Sequence, residues 1–360
     1  MPVTSRSTPG SIAARAAGVL RREFFRRLPI ETLQRRAPRD LVAFSYHVVA
    51  DERLPHISHI YDYKTAAEFE ADVVYLKNRY LLPTWPEFLE ERTAGRASGR
   101  QSAMLTFDDG MAECFDIVRP ILLKHRVPCV FFVSKLFVDN QTMFYRHKVS
   151  LCLERVGGAS TEEQLRLLRA VGQDCGIGEF SLGGFTSWLR GLEIADEATI
   201  DRVCGLVEVD VAAELARRKP YLTSRQITQL AEEGFTIGGH TVRHARLQLL
   251  GDAACDREIV ESCEFVGQLV GAPDVPFAFP FGGAGLNRRL LGSIVERHPL
   301  IKFMFDTGGL ATDAPFIIHR IAADEPTGMP AGRSGLDSVI RSGYAELLCG
   351  RPVPRSDASS

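Results

Sequence analysis

The chain has 360 residues, and at about 150 residues per domain that length admits two domains or one α/β barrel with insertions. A composition of 45% hydrophobic, 24% charged and 9% aromatic residues supplies apolar surface for a large core and excludes wholesale disorder, collagen and coiled coil. With 43 Lys+Arg against 45 Asp+Glu the formal charge is -2, so no global field draws the chain to nucleic acid.

No run approaches the roughly 18 apolar residues that span a bilayer. The eight cysteines form no Cys-x-x-Cys pair, which argues against a zinc ribbon or a disulfide scaffold and for thiols in a reducing compartment. The residues through Phe25 hold no apolar core of signal-peptide length, so a cytoplasmic location is expected. The N-terminal segment, 1–40, is basic: residues 11–39 carry eight arginines against Glu23 and Glu31. Ile12, Ala16, Val19, Leu20, Phe24 and Leu28 recur there at helical spacing, predicting an amphipathic helix ended by Pro29 and Pro38. Such a helix either docks on its own domain or makes a peripheral contact with an anionic membrane.

Seven apolar, β-rich runs follow: LVAFSYHVV (Leu41 to Val49), SAMLTF (Ser102 to Phe107), CVFFVS (Cys129 to Ser134), FTIGGH (Phe235 to His240), FAFPF (Phe277 to Phe281), KFMFDT (Lys302 to Thr307) and FIIHRI (Phe316 to Ile321). Helical patterns separate most of them: ECFDIVRPILLKHR, TSRQITQLAEEG with Thr223 or Ser224 as N-cap and Gly234 as stop, and CDREIVESCEFVGQLVG. This alternation predicts an α/β fold with a parallel sheet closed into a barrel over 41–325, its active site at the strand C-terminal ends. Between the third and fourth strands, about 149–220 reads as a helical insertion (LCLERV, EEQLRLLRAVG, FTSWLRGLE, ATIDRVCGLVEVDVAAELARR). Leaving the barrel just after a strand end, it is expected to lie at the mouth. The last region, 326–360, holds one weak helix, LDSVIRSGYAELL, and a polar tail, PVPRSDASS, expected to be disordered.

The densest chemical signal is Thr106-Phe107-Asp108-Asp109-Gly110, two carboxylates where a buried strand meets a glycine turn. A plain turn explains that alone. His240-Thr241-Val242-Arg243-His244, after another strand, adds two histidines four apart that can share a cation. In a parallel barrel both motifs face one mouth, so Asp109, His240 and His244 form three ligands for a divalent metal, zinc first, with an open position. Asp108, free of the metal, would be the general base.

These motifs resemble the polysaccharide deacetylases, also called the NodB-homology domain or carbohydrate esterase family four. TFDDG is intact at 106–110 and H-[ST]-x-x-H at 240–244. The resemblance covers roughly Leu41 to Asp324 and implies a distorted (β/α)7 barrel, with Asp108 as catalytic base and Asp109, His240 and His244 as ligands. The family's third motif, R-x-P-Y/F-G, is altered: Ala278 stands at the arginine, while Pro280-Phe281-Gly282 survives. The resemblance implies the Phe281 N–H as oxyanion donor, and the ordering of Asp108 must then come from elsewhere. The last two motifs, an Asp orienting a His that acts as general acid, are sought at Asp306 and His319. A subset of the family carries an Arg-Ile dipeptide here instead, which would match Arg320-Ile321 and leave His319 incidental.

Tyr46 and His47 end the first strand and are candidate substrate contacts, a packed histidine being the alternative for His47. Arg146, between Tyr145 and His147, precedes the insertion and could contact a sugar or phosphate, the alternative being a solvated loop cluster. His56, His59, His125 and His298 receive no role. The expected function is a metal-dependent hydrolase that removes an N-acetyl or similar small acyl group from an amino sugar or glycoconjugate. One alternative is a hydrolase of another linear amide or of an O-acetyl ester. A non-catalytic carbohydrate- or lipid-binding protein is another, although binding needs no spare carboxylate at Asp108.

Overall fold

The computed structural model describes residues 21–94, 101–178, 181–330 and 332–349. Strands β1 (Leu41–Tyr46), β2 (Ser102–Phe107), β3 (Cys129–Val133), β4 (Thr236–Gly239), β5 (Phe277–Ala278), β6 (Met304–Asp306) and β7 (Ile317–Ala322) pair in chain order, all parallel. β7 pairs with β1 and closes the barrel, as the seven apolar runs predict. Successive side chains on a strand face opposite sides, which sorts each run into a barrel interior and an outer layer under the helices. Ala43, Met104, Val130, Phe132, Ala278, Phe305 and Ile318 fill the interior together with Trp85 and Phe88. β4 runs close to β3 because of glycine: a Cβ on Gly238 would meet the Phe132 ring and the Pro276 carbonyl.

Helices α1 (Ile30–Arg36), α2 (Ala66–Arg79), α3 (Trp85–Thr93) and α4 (Arg119–His125) accompany the first half. An insertion follows, with α5 (Tyr145–Gly157), α6 (Thr161–Asp174), α7 (Leu182–Arg190), α8 (Glu197–Leu206) and α9 (Val211–Arg218). The second half adds α10 (Ser224–Glu232), α11 (Asp252–Val270), α12 (Arg288–Arg297) and α13 (Leu336–Leu348). Thr223 caps α10 in a box with Gln226, and Gly234 (φ 92°) turns the chain after it. The run ATIDRVCGLVEVDVAAELARR is two helices rather than one, interrupted where Glu208 adopts φ 62°. FAFPF yields only two strand residues because Pro280 offers no N–H and Phe281 turns left-handed at φ 59°.

At the N-terminus residues 21–26 are helical and Pro29 opens the separate helix α1. Phe25, Ile30 and Leu33 are buried, Arg21 Nη2 donates to the Leu348 carbonyl (3.0 Å), and Arg341 Nη1 donates to the Leu28 carbonyl (2.9 Å). The described part of the basic segment therefore lies against α13. Its first twenty residues and the tail from residue 350 lie outside the described residues. Among the described residues no helix is long and apolar enough to cross a membrane.

Tyr46 corrects one expectation. Inward positions on β1 are those in phase with Ala43, so Tyr46 points outward, away from the mouth. Its ring lies 5.2 Å from Phe107 and 5.4 Å from Phe69, and its hydroxyl donates to Asp72 Oδ2 (3.0 Å). Lys64 pairs with the same oxygen, Ser334 Oγ donates to Oδ1 (2.7 Å), and the Lys64 and Asp72 side chains are each 1% exposed. Asp72→Ala would leave the Lys64 ammonium buried without a partner, and we expect a loss of about 3–5 kcal/mol in urea unfolding. A loss under about 1 kcal/mol, the scale of an exposed pair, would contradict this reading.

Candidate active site

β2 delivers Asp108 and Asp109 to the barrel mouth, and β4 delivers His240, followed by His244. Asp109 Oδ1 lies 3.3 Å from His240 Nε2 and 2.9 Å from His244 Nε2, with all three residues buried. Asp109, Thr241, His244 and Phe281 all adopt left-handed backbone (φ 70°, 62°, 55° and 59°). Such strain in Thr and Phe persists only where surrounding structure imposes it, and it collects at functional sites.

His240 Nδ1 donates to the Ala278 carbonyl (2.8 Å), which fixes the tautomer and aims Nε2 at Asp109. The His244 ring is held by packing instead, 4.4 Å from Phe144 and 5.0 Å from Phe281. Burial would push the Asp109 carboxyl up, yet the His244 and His240 imidazoles outweigh it and hold it well below the usual range. Burial also pushes the His244 imidazole below its ordinary value. An ionised carboxylate at Asp109 and a neutral imidazole at His244 are the states that a cation requires. Asp109 Oδ1 is buried without a hydrogen bond although both Nε2 atoms face it, so the donor set fits a divalent metal.

Asp108 is held by Arg320 on β7, a fully buried arginine. Nη1 donates to Oδ1 (2.6 Å) and Nη2 to Oδ2 (2.8 Å), while Nη1 also reaches Thr106 Oγ1 (2.8 Å). Burial alone would raise this carboxyl, but the guanidinium outweighs it, so Asp108 stays anionic in a dry site. The partner that Ala278 on β5 does not supply thus comes from β7.

His47, the first residue past β1, meets Asp324, two residues past β7. Asp324 accepts from His47 Nδ1 (2.8 Å) and from the His47 backbone N–H (2.7 Å). Burial would lower the imidazole, but the Asp324 carboxylate more than offsets it and pushes the pKa up to about 10. The Tyr61 ring lies 5.0 Å from that of His47, with its hydroxyl buried and unpartnered among the described residues.

His319 does not join them. Arg320 points inward to Asp108, so its neighbour points outward. There the His319 Nδ1 accepts from the Gly308 N–H (3.0 Å) and Nε2 faces Asp313 Oδ2 (3.0 Å). It lines a cavity of about 310 Å³ beside Pro38, Leu41 and Phe303, near where β1, β6 and β7 begin. Asp306 likewise does not orient it: its Oδ1 accepts from the Gly283 and Thr307 N–H groups (2.7 Å each) and so fixes the loop after Phe281. Arg146, at the start of α5, does reach the mouth, its guanidinium carbon 4.8 Å from the centre of the Phe281 ring. Its neighbour His147 is buried, with Nδ1 2.7 Å from the Tyr221 hydroxyl.

The insertion, which begins at Tyr145 rather than near residue 149, meets the site: Phe144 just before it contacts His244, Arg146 contacts Phe281, and Glu193 reaches Arg246 (3.3 Å). The chain returning from it ties to the Asp109 turn: Ala112 N–H donates to Pro220 O (2.8 Å) and Leu222 N–H to Gly110 O (2.9 Å).

A closed parallel barrel thus carries an Asp-His-His cluster and an arginine-clamped second Asp at its mouth. Residues 187–296, which include His240 and His244, match the polysaccharide deacetylase family model. A chitooligosaccharide deacetylase from Bradyrhizobium sp. (strain ANU 289) is 42% identical over 66 residues, 18% of this chain and 30% of that protein. The match thus spans under a third of that relative's length. The Streptococcus pyogenes deacetylase PplD in complex with acetate aligns at TM-score 0.49 and 14% identity, over 80% of this chain and 94% of that one. IcaB from Ammonifex degensii aligns at TM-score 0.47 and 15% identity, over 85% and 97%. The resemblance to polysaccharide deacetylases is borne out over 187–296, the stretch that holds the His240/His244 motif.

Proposed function

We propose that this chain is a metal-dependent hydrolase that removes an N-acetyl or similar small acyl group from an amino sugar or glycoconjugate. The observation that carries the reading is Asp108, a buried carboxylate kept anionic by Arg320 beside a three-donor cluster that does not use it. A binding protein has no use for such a group. The deacetylase family match over 187–296 and the chitooligosaccharide deacetylase relative support the substrate class.

Asp109, His240 and His244 would hold the cation, zinc by donor type, which when bound polarises the acyl carbonyl and lowers the pKa of water. Asp108 takes the proton of the attacking water at its carboxylate, and Arg320 fixes the orientation of that carboxylate. The Phe281 N–H is the proposed donor to the oxygen that becomes negative as the carbonyl is attacked. His47, charged at neutral pH through Asp324, gives a proton to the departing amine in place of His319. The insertion narrows the mouth and selects substrate.

Purified protein should carry about one divalent ion per chain, and His240→Ala or His244→Ala should lose it, since two remaining ligands make a poor site. Stoichiometric metal in both variants, measured by plasma mass spectrometry, would overturn the ligand set.

A further inference from the structure

We propose that Arg146 and Arg246 form a subsite for an anionic group, phosphate or carboxylate, carried by the substrate. This rests on the hydrolase reading above and narrows its substrate class. Phe281 packs its ring on His244 (5.0 Å), and both guanidiniums lie over that ring, with carbons 4.8 Å (Arg146) and 4.4 Å (Arg246) from its centre. They come from separate places, Arg146 from the insertion and Arg246 from the turn two residues past His244. Gln248 clamps that turn to the Phe281 loop by donating to the Gly282 and Ala284 carbonyls (2.7 and 3.0 Å).

A single carboxylate, Glu193, faces both, at 3.3 Å from Arg246 Nη2 and 3.8 Å from Arg146 Nη2. The second distance is too long for a hydrogen bond. The other oxygen of Glu193 already accepts from the Tyr145 hydroxyl (2.8 Å), and Arg146 Nε donates to that hydroxyl (3.1 Å). Arg246 Nε is buried with no partner among the described residues. One negative charge against two leaves a positive surplus. Asp196, which accepts from the Glu193 N–H (3.0 Å), forms no ion pair with either guanidinium among the described residues, and Asp108 and Asp324 are already matched by Arg320 and His47. The three side chains are about a third exposed (30%, 32% and 31%), so an incoming group can reach them. Two forks of donors with unspent N–H groups suit the oxygens of a phosphate or carboxylate, and a neutral sugar gives them no such match.

The test uses the metal-loaded full chain and three probes: N-acetylglucosamine 1-phosphate, N-acetylmuramic acid and neutral N-acetylglucosamine. Calorimetric binding and acetate release are both read. We expect at least one anionic probe to bind at least tenfold more tightly than the neutral sugar. The Arg146→Gln/Arg246→Gln double variant should lose at least tenfold more kcat/KM and affinity on that probe than on the neutral one. Which anionic probe wins separates phosphate from carboxylate. Equal affinity for all three, or equal losses on charged and neutral probes, would mean that the arginines only pin the insertion, and the proposal falls. Arginine-dependent binding without acetate release would leave the subsite standing and sink the hydrolase reading instead.

Discussion

His47→Gln should lower amide hydrolysis by roughly 10²- to 10⁴-fold while metal content stays unchanged. An amide anion is far too basic to leave a tetrahedral intermediate, so the departing nitrogen must receive a proton. His47 donates Nδ1–H to Asp324, which leaves Nε2 as the atom that can carry that proton to the mouth. The carboxylate raises the imidazolium pKa to about 10 against the effect of burial, so activity should fall as pH rises past the His47 pKa. Asp324→Asn removes the stabilising charge and lowers that pKa, so the alkaline limb should move to lower pH. An ester's alkoxide leaves more readily, and the same variant should lose less on an O-acetyl analogue. His319→Ala should change the rate far less, since that ring faces Asp313 on the outer side of β7. Unaltered amide turnover in His47→Gln would eliminate His47 as the acid.

Asp108→Asn should retain the metal and lose activity by roughly 10²-fold or more, because the base and not a ligand is removed. It should also cost stability, about 3–5 kcal/mol, since the fully buried Arg320 loses its counter-charge. Arg320→Met tests the same pair from the other side. The largest charge opposing burial at Asp108 is then gone, leaving only His240 and His47 against it, so its pKa rises and the acidic limb of the pH–rate profile should move to higher pH. An emptied metal site in Asp108→Asn would show that the roles of the two carboxylates are reversed.

The barrel was legible because β-rich apolar runs of strand length alternate with helical patterns, and the Asp108-Asp109 and His240/His244 motifs each carry their spacing within a few residues. Helices α2, α3 and α12 escaped, although Thr65-x-x-Glu68 and Thr84-x-x-Glu87 are capping-box signatures that the structure uses. Two residue assignments failed for one reason. Tyr46 and His47 are adjacent on one extended chain, as are His319 and Arg320, and adjacent side chains cannot both face the mouth. Phase with Ala43 places His47 inward, and the contact with Asp108 places Arg320 inward. The pairs Arg320–Asp108 and His47–Asp324 were not readable from spacing, because they form 212 and 277 residues apart across the seam where β7 meets β1. The Arg320-Ile321 dipeptide and the Asp that follows β7 were the available signals.

The most direct measurement is acetate release from an N-acetylated amino sugar by wild-type protein, chelated protein and Asp108→Asn, read by mass spectrometry. The account predicts release by the wild type, loss on chelation with recovery when a divalent ion is returned, and loss in Asp108→Asn with the metal still bound. Release that survives chelation, or that persists unchanged in Asp108→Asn, would contradict it.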